Sequence, residues 1–400
     1  MRIVVTGMGA VTPFGVGVVA YWDGLLSGRC GIGEISRLDT AGFPVTRAAE
    51  VRGFSAREHL PAKLAADTDL FQQYACAAAE EAVRQSGIET FDAARTGIVM
   101  GTALAGITLT GQTQAELAVR GKHVGPKFLT RVMGNIAAAQ FAIRWGIRGP
   151  SLTVSTACSS GGDAVLLAAT LLEAGMADTM VVLAGESAVS PLLVYSLSVG
   201  GALSREGACR PFDAHRDGFV IGEGGGAVIL ETEAHARARG AHIFAALLGW
   251  ANNTDAFNPV APDPEGAGAA ECMCLALRKA GLAPEAIGYV NAHGTATVKG
   301  DLAEAKALRA VFGGARVPVG STKGATGHMM GAGGITETIA CILAIERGVL
   351  PPTVGCADPD PACGVAVVTG PTERRADAAM SNALGFGGQN SSIIVGKYQG

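Results

Sequence analysis

Three segments of the chain carry residues whose types and spacing could do covalent or proton-transfer chemistry. The first, TVSTACSSGGDAVLLAA (153–169), sets Cys158 between an apolar run and a helix-forming run, which predicts a strand-to-helix turn. A sulfur at a helix N-terminus is expected to gain thiolate character, because the helix dipole favours the anion and lowers the thiol pKa. Cys158 is therefore a candidate nucleophile.

The other two segments contain one histidine each. His293 ends the apolar run GYVNAH (288–293) and enters a turn of small residues, which leaves room for a substrate. His328 lies with Lys323 in the glycine-dense loop STKGATGHMMGAGG (321–334), ahead of a long apolar helix pattern. Both imidazoles are candidates for proton transfer or for hydrogen bonding to an anionic intermediate.

Each of these residues also has an ordinary structural interpretation. Most free cysteines are small buried hydrophobes, and a lone histidine such as His328 is more often a satisfied structural residue. Asp301 and Glu304 fall in the first turn of the helix pattern after His293, where acids commonly cap a helix. The residue types alone leave both interpretations open.

Glycine-rich stretches give weaker signals. RIVVTGMGAVT (2–12) places GxG after a first strand, but Thr12 stands at the third glycine position of a dinucleotide fingerprint. GVGVVA (15–20) lies too far past that strand, and GEGGG (222–226) lacks the Lys-Ser/Thr of a phosphate loop. The sequence therefore predicts no bound nucleotide cofactor.

The composition describes a large globule with reduced cysteines. Of 400 residues, 48% are hydrophobic and 16% charged, and the net charge of −4 gives no basic field for nucleic acid. Nine cysteines without a CxxC pair or Cys/His cluster argue against zinc and favour the cytoplasm. No apolar run approaches the roughly 18 residues of a membrane span, and the N-terminus lacks a signal-peptide pattern. We expect no metal, no nucleic-acid partner and no membrane segment.

Strand and helix patterns alternate along the chain, which predicts an α/β layered fold. Strand-like runs occupy 2–6, 97–100, 151–154, 179–185, 225–231, 242–250, 288–293, 364–368 and 391–396. Helical patterns occupy 17–27, 69–86, 134–145, 159–174, 266–280, 301–311 and 331–347. The chain is longer than one core usually serves, so two units are expected, 1–240 and 241–400, with a seam near 236–244.

Four ordered motifs resemble those of the elongating β-ketoacyl-[acyl-carrier-protein] synthases, which are Cys-His-His condensing enzymes of the thiolase superfamily. They are VSTACSSG, NAHGTATVKGD, STKGATGHMMGAGG and ALGFGGQNSS, and the likeness extends to RIVVTGMGAVTPFG and CRPFDAHRDGFVIGEGGGAVILE. The resemblance implies a thiolase-like fold of two similar α/β halves in five α-β-α-β-α layers. It also implies a substrate on the phosphopantetheine arm of acyl carrier protein, no cofactor, and a homodimer or a heterodimer with a chain-length-factor-like subunit.

The resemblance assigns roles to single residues. Cys158 would carry the acyl chain, while His293 and His328 donate hydrogen bonds to the enolate left by malonyl decarboxylation. The backbone N–H groups of Cys158 and Phe386 would bind the thioester oxyanion, and the Phe386 ring would gate access to the sulfur. The remaining assignments are Lys323 and Glu337 as a charge network that holds His328 in its tautomer and orientation, Leu104 in GTALAG (101–106) as acyl-pocket lining, and Asp255 as part of the gate loop.

Departures from the family pattern bear on the pathway. The segment 203–213 is shorter than expected for the housekeeping fatty-acid enzymes, and 60–73 carries one lysine where those enzymes tend to have several basic residues for docking carrier protein. In addition, Gln389 replaces a commoner threonine, and Val298-Lys299 replaces a proline-containing turn. CSSGGDAV and TIACILAIERGVLPPT look closer to ketosynthases of type II polyketide assembly. A polyketide or polyene pathway is therefore expected ahead of fatty acid synthesis.

Two rival functions remain. A non-catalytic chain-length partner would usually lack the cysteine that stands at position 158. A coenzyme A-dependent thiolase would need a second, late cysteine where the chain reads Gly385-Phe386-Gly387-Gly388. A starter-type synthase would need asparagine in place of His328, so the elongating type is preferred.

Overall fold

The computed structural model describes residues 1–121, 124–313 and 317–400, and in these ranges strands and helices alternate along the chain. The strands are β1 (Ile3–Thr12), β2 (Gly15–Val16), β3 (Gly33–Glu34), β4 (Arg47–Ala48), β5 (Thr96–Gly101), β6 (Ser151–Val154), β7 (Thr179–Glu186), β8 (Gly224–Thr232), β9 (Ala245–Thr254), β10 (Tyr289–Asn291), β11 (Pro318–Gly320), β12 (Val349–Leu350), β13 (Ala366–Val367), β14 (Thr372–Glu373), β15 (Ala378–Gly385) and β16 (Gln389–Gly396). The helices are α1 (Val18–Leu26), α2 (Ala56–His59), α3 (Ala62–Asp67), α4 (Leu70–Ser86), α5 (Ile107–Arg120), α6 (Phe128–Val132), α7 (Ile136–Trp145), α8 (Ser160–Glu173), α9 (Pro191–Val199), α10 (Glu233–Ala238), α11 (Ala267–Ala280), α12 (Val298–Phe312), α13 (Lys323–Thr326) and α14 (Gly333–Arg347).

The longer strands form one continuous sheet whose two halves repeat a single topology. The sheet order is β13-β11-β10-β15-β16-β9-β1-β8-β7-β5-β6, with β2 paired to β1. The first half contributes β1, β5, β6, β7 and β8, and the second half contributes β9, β10, β11, β15 and β16. If the five strands of each half are numbered 1 to 5 along the chain, both halves have the spatial order 3-2-4-5-1. In both halves the second strand pairs parallel with the third and fourth, and the fifth pairs antiparallel with the fourth and first. The halves join where β1 pairs antiparallel with β9.

Helices cover the outer faces of the two half-sheets and fill the layer between them. α4 packs on β1, β7 and β8 of the first half, whereas α11 packs on β9 and β16 of the second, with α12 against α11. α8 and α14 contact each other and strands of both half-sheets, so they form the middle layer. The predicted thiolase-like α-β-α-β-α arrangement is confirmed.

Burial explains the sequence patterns of these layers. β7 and β8 are buried along their whole length and are continuous apolar runs, as expected for strands covered on both faces. α14 is buried on all sides from Gly333 to Ile345, and most of this stretch is apolar, with Glu337 the one charged residue in it. α4, on the outer surface, begins with a capping box in which the Asp69 backbone N–H donates to the Gln72 side chain at 2.9 Å.

Some elements differ from those that the sequence predicts. The strand expected at 364–368 is only Ala366–Val367, at the edge of the sheet. The sequence does not predict α5, because this surface helix has no buried residue and therefore little apolar periodicity. β15 is also missed, since its residues AAMSNALG are small and polar rather than β-branched.

The division into 1–240 and 241–400 stays a prediction, because strands from both parts join in one sheet. Its seam at 236–244 falls between α10 and β9, where the chain passes from one half-sheet to the other. Within the residues that the structure describes, no helix combines the length and apolarity needed to cross a bilayer.

Candidate active site

Cys158 lies on the turn between β6 and α8, as the sequence predicts. Ala157 holds a positive φ of 51°, a conformation that strains any residue other than glycine. The two serines after the cysteine fix the turn: Ser160 Oγ donates to Ala157 O at 2.6 Å, and Ser159 Oγ donates to Gln389 O at 2.7 Å. The nucleophile turn is therefore bonded both to itself and to the second half of the molecule.

Two histidines from the second half converge on the Cys158 sulfur. His328 Nε2 lies 3.0 Å from Sγ, and the His293 ring stands edge-on to the His328 ring with centroids 5.3 Å apart. One ligand-type atom from each of the three residues falls within 4.8 Å of the other two. The structure thus brings together the three residues that the sequence singles out as catalytic.

Burial sets the charge of this cluster. It raises the pKa of the Cys158 thiol to about 12, although the Lys323 charge and the Phe386 N–H oppose the shift. It also lowers the pKa of His293 and His328 well below the usual histidine range, and the Lys323 ammonium adds to that shift. All three groups are neutral, and the direction of the hydrogen bond between Sγ and Nε2 follows from the His328 tautomer. The sequence predicts a lowered thiol pKa, whereas burial in the assembled site raises it.

Lys323 and Glu337 form a buried ion pair, with Nζ 2.5 Å from Oε1 and only 1% and 3% of the side chains exposed. Among the described residues neither side chain bonds an imidazole, and His328 Nδ1 has no partner. Lys323 and Glu337 therefore make no hydrogen bond, among the described residues, that would fix the His328 tautomer. Lys323 acts on the imidazole through its charge, which lowers the pKa of His328. The His328 backbone N–H donates to Val220 O at 2.8 Å, and the Phe219 ring packs edge-on against the imidazole.

Phe386 follows the last residue of β15 and faces the cysteine. Its backbone N–H lowers the pKa of the Cys158 thiol, and the residue is 42% exposed and lines the cavity. A Cβ on Gly385 would lie 2.8 Å from Thr156 O and 3.2 Å from Cys158 N. Because only glycine permits so close an approach, Gly385 allows the Phe386 N–H to reach the site.

Asp255, predicted to lie in the gate loop, is bonded to the segment that carries Phe386. Its backbone N–H donates to Gly388 O at 2.9 Å, and its Oδ1 accepts from Asn390 Nδ2 at 2.7 Å. Both Asp255 and Phe386 line the cavity. The two predicted gate elements are therefore in direct contact.

Asp301 and Glu304 do not cap their own helix, contrary to the simplest interpretation of the sequence. The carboxylate of Glu304 accepts the backbone N–H groups of His293 and Gly294, each at 2.8 Å. Asp301 accepts the N–H of Ala296 at 3.1 Å in the same loop. Burial raises the pKa of Glu304 to about 7 and of Asp301 to about 6. These acids brace the His293 loop.

A cavity of about 490 Å³ contains the cluster. Leu104 lines it, as predicted for the acyl pocket, together with Leu193 and Leu197 of α9. Its lining also includes Thr295 and Thr297, in the loop that follows His293. The apolar part of this lining, the acyl arm, suits an acyl chain, and the threonines add polar groups to the loop that carries His293.

Backbone strain is concentrated around the cavity. Within the described chain, the non-glycine residues with positive φ all lie in segments that form or brace the site; they are Ala105, Ala157, Phe212, Ala256, Ala296 and Met330. Such conformations persist only where the surrounding contacts over-determine them. The loops that carry Leu104, Cys158, Asp255, His293 and His328 are thus held in fixed, costly shapes.

One buried carboxylate near the site, that of Glu186, is not among the residues predicted from the sequence. Glu186 ends β7 and accepts hydrogen bonds from Thr102, Ala103, Leu104 and Gly331. The signal was present, because an acid that closes the apolar run TMVVLAGE must be buried with partners. Its partners, however, come from distant segments that no local pattern reveals.

The cluster of Cys158, His293 and His328 is also a donor set that a soft divalent cation such as Zn²⁺ would accept. The expected absence of a metal therefore stays a prediction. Gly7 and Gly9 lie inside β1, whereas Gly17 directly precedes α1, and the expected absence of a nucleotide cofactor likewise stays a prediction.

Comparison with known families matches both parts of the chain. Residues 1–236 match the family described as Beta-ketoacyl synthase, N-terminal domain, and residues 244–357 match Beta-ketoacyl synthase, C-terminal domain. A protein of Coxiella burnetii named 3-oxoacyl-[acyl-carrier-protein] synthase 2 is 37% identical over 407 residues, covering 99% of this chain and 98% of that protein.

Solved structures give the same picture. The ishigamide ketosynthase/chain length factor superposes with a TM-score of 0.94 at 33% identity, covering 100% of this chain and 99% of that one. AntDE:AntF, a type II PKS acyl-carrier protein in complex with its ketosynthase, superposes with a TM-score of 0.88 at 30% identity, covering 100% and 99%. The similarity therefore spans the whole chain.

Proposed function

The chain belongs to the β-ketoacyl synthase family, and from that premise we propose that it elongates an acyl chain by condensing it with malonyl-acyl carrier protein. The reaction is a decarboxylative Claisen condensation, and the acyl chain is held on a cysteine. The observation that carries this function is the cluster of Cys158, His293 and His328 in the cavity, with Sγ 3.0 Å from His328 Nε2.

The first step loads the acyl chain onto Cys158. The thiol needs a base at neutral pH, because burial raises its pKa to about 12. The neutral His328 Nε2 accepts the Sγ proton as the sulfur attacks the thioester carbon of acyl carrier protein. The bond from that carbon to the pantetheine sulfur breaks, and the departing sulfur takes the proton. The N–H groups of Cys158 and Phe386 stabilise the oxyanion.

The second step forms the new carbon–carbon bond. The malonyl carboxylate leaves as carbon dioxide, and the electron pair of the broken bond becomes an enolate whose oxygen accepts hydrogen bonds from His293 and His328. The enolate carbon attacks the Cys158 thioester carbon, the Cys158 carbon–sulfur bond breaks, and the sulfur leaves as a thiolate that takes a proton from water. A neutral imidazole has one N–H to donate, so His328 carries its proton on Nε2 in this step, the opposite tautomer from the one that accepts the Sγ proton.

Condensation is tested by mixing the protein with acyl-acyl carrier protein and malonyl-acyl carrier protein and measuring carbon dioxide and β-ketoacyl product. We expect product with carrier-protein substrates, and a large loss, at least about 10²-fold, in His293→Ala and His328→Ala. His242→Ala, which changes an exposed histidine away from the site, is the matched control. Turnover of acetyl-coenzyme A alone would favour a thiolase, and a wild-type protein without turnover would favour a non-catalytic chain-length partner.

The proposed partners are acyl carrier protein and a second subunit of the same fold, either a copy of this chain or a chain-length-factor-like subunit. Support for a second subunit comes from exposed apolar residues on α5, α7 and α9, such as Val119, Ile143 and Val199, which are 83%, 78% and 88% exposed. Of these helices, α7 packs on β6, an edge strand of the sheet with Leu152 exposed. Light scattering alone and with a candidate partner distinguishes the two assemblies.

We further propose a polyketide or polyene pathway, no cofactor, and action in the cytoplasm. One of the two solved structures is a ketosynthase/chain length factor and the other a type II PKS complex, whereas the Coxiella relative is named a 3-oxoacyl-[acyl-carrier-protein] synthase. A panel of saturated and polyunsaturated acyl-carrier proteins decides between the pathways. The cysteines are free throughout the described residues, in keeping with a reducing compartment.

A further inference from the structure

Glu186 is a fully buried carboxylate outside the cavity lining, and each of its oxygens accepts two hydrogen bonds. Oε1 accepts from Thr102 Oγ1 and from Leu104 N, both at 3.1 Å. Oε2 accepts from Ala103 N at 2.7 Å and from Gly331 N at 3.1 Å. Within the described chain, no cation lies within 4.0 Å of this carboxylate. Burial raises the pKa of Glu186 to about 7, and the four donors oppose that shift.

The four donors belong to two segments that serve different parts of the reaction. Thr102, Ala103 and Leu104 form the turn that lines the acyl arm, whereas Gly331 follows His328 in the loop that presents the imidazole. The segments touch directly, because a Cβ on Gly331 would lie 2.6 Å from Ala103 N and 2.8 Å from Glu186 Oε2. Glu186 therefore joins the pocket wall to the histidine loop.

Both segments are strained next to the bonds that Glu186 accepts. Ala105, which follows Leu104, has φ 46°, and Met330, which precedes Gly331, has φ 47°. Residues other than glycine keep such conformations only when neighbouring contacts hold them there. The carboxylate supplies those contacts on both sides at once.

We propose that Glu186 is a positioning residue for the condensation, fixing the Leu104 wall of the acyl arm and the His328 loop in one relation to each other. This inference rests on the proposed condensing function. The fit of the acyl chain against Leu104 and the position of the His328 imidazole therefore both depend on the Glu186 side chain. Neither Glu186 oxygen touches the substrate, so its effect passes through Leu104 and Gly331.

Glu186→Gln is the sharpest test, because glutamine keeps the shape of the side chain but offers one acceptor oxygen in place of two. Its amide nitrogen would then face two N–H or O–H donors. Thr102→Val is the second variant, since it removes one donor from the other partner without changing volume much. Glu231→Gln is the matched control: Glu231 is equally buried, bonds Thr6 and Arg239, and lies away from the site.

The measurements are the rates of malonyl decarboxylation and of condensation for short and long acyl-carrier proteins, each per alkylatable Cys158. Glu186→Gln should lower the decarboxylation rate constant about tenfold or more, with the malonyl-acyl carrier protein KM within about twofold, since misplacement of about 1 Å costs up to about 10²-fold. The ratio of long-chain to short-chain rates should change in the same variant. Thr102→Val should shift both quantities in the same direction, and Glu231→Gln should shift neither.

Two results would overturn the inference. One is a wild-type decarboxylation rate and chain-length ratio in Glu186→Gln. The other is an equal loss for all chain lengths that matches the loss of alkylatable Cys158, which would mark a purely structural residue. Wild-type protein is measured beside the variants. If the proposed condensing function is wrong, wild type itself shows no turnover, whereas if only the Glu186 inference is wrong, wild type turns over normally.

Discussion

Replacing Lys323 by methionine tests how the buried ion pair controls the two histidines. Lys323→Met leaves Glu337 in the interior without its counter-charge, since the two side chains are 1% and 3% exposed. Removing one partner of a buried pair costs about 3–5 kcal/mol of unfolding free energy. Burial already raises the pKa of Glu337, so the carboxyl can take up a proton, and the expected loss is about 3 kcal/mol. Lys323→Met/Glu337→Leu should recover most of it.

The same substitution should change catalysis through the histidine pKa values. Lys323 lowers the pKa of His293 and His328, so its removal raises both. His328 accepts the Cys158 proton only when neutral. The acid limb of the acylation rate should therefore move to higher pH, and the rate below that limb should fall about tenfold for each unit of pKa change.

Urea unfolding and the pH dependence of Cys158 acylation, followed by intact mass, measure the two effects. Lys279→Met is the control, because the Lys279–Glu173 pair is solvent-exposed and such pairs contribute about 0–1 kcal/mol. An acid limb that stays at its wild-type pH in folded Lys323→Met would refute the electrostatic role of Lys323. A loss no larger than that of Lys279→Met would refute the buried-pair reasoning.

Three further predictions follow from the cavity and its supports. Leu104→Phe should slow condensation of long acyl chains more than short ones, because overpacking a wall costs about 1–3 kcal/mol; an unchanged length profile in folded protein would reject the pocket assignment. Phe386→Ala should release carbon dioxide faster than wild type when malonyl-acyl carrier protein is supplied without an acyl donor, and a wild-type rate of release contradicts its gating role. Burial raises the pKa of Glu304 to about 7, so its stabilising contribution is present below about pH 4.5 and is lost as the pH rises through 7. Glu304→Gln should shrink the difference in unfolding free energy between pH 5 and pH 8 by up to about 3 kcal/mol, and an unchanged difference argues against the shift.

The sequence predicts features whose cause is local. Continuous apolar runs identify β7 and β8, because those strands are covered on both faces. The strand-to-helix turn at Cys158 follows from an apolar run that meets a helix pattern, and His293 and His328 stand out in small-residue loops. The family resemblance supplies the order of the motifs, and the structure places all three residues around one cavity.

What the sequence does not predict depends on partners that are distant along the chain. Glu304 looks like a helix cap, but it accepts the N–H groups of the His293 loop. Glu186 bonds two segments from different parts of the chain, which no periodicity encodes. The Cys158 pKa likewise depends on desolvation by the assembled halves, which raises it, whereas the local pattern suggests a lowered value.

The most direct test of the account is where the acyl group resides. Wild-type protein and Cys158→Ala are exposed to acyl-acyl carrier protein, their intact masses are compared, and the labelled peptide is identified. We predict one acyl group per wild-type chain on the peptide that contains Cys158, and none on folded Cys158→Ala. Stoichiometric acylation that persists in Cys158→Ala would contradict the assignment of Cys158 as the residue that carries the chain.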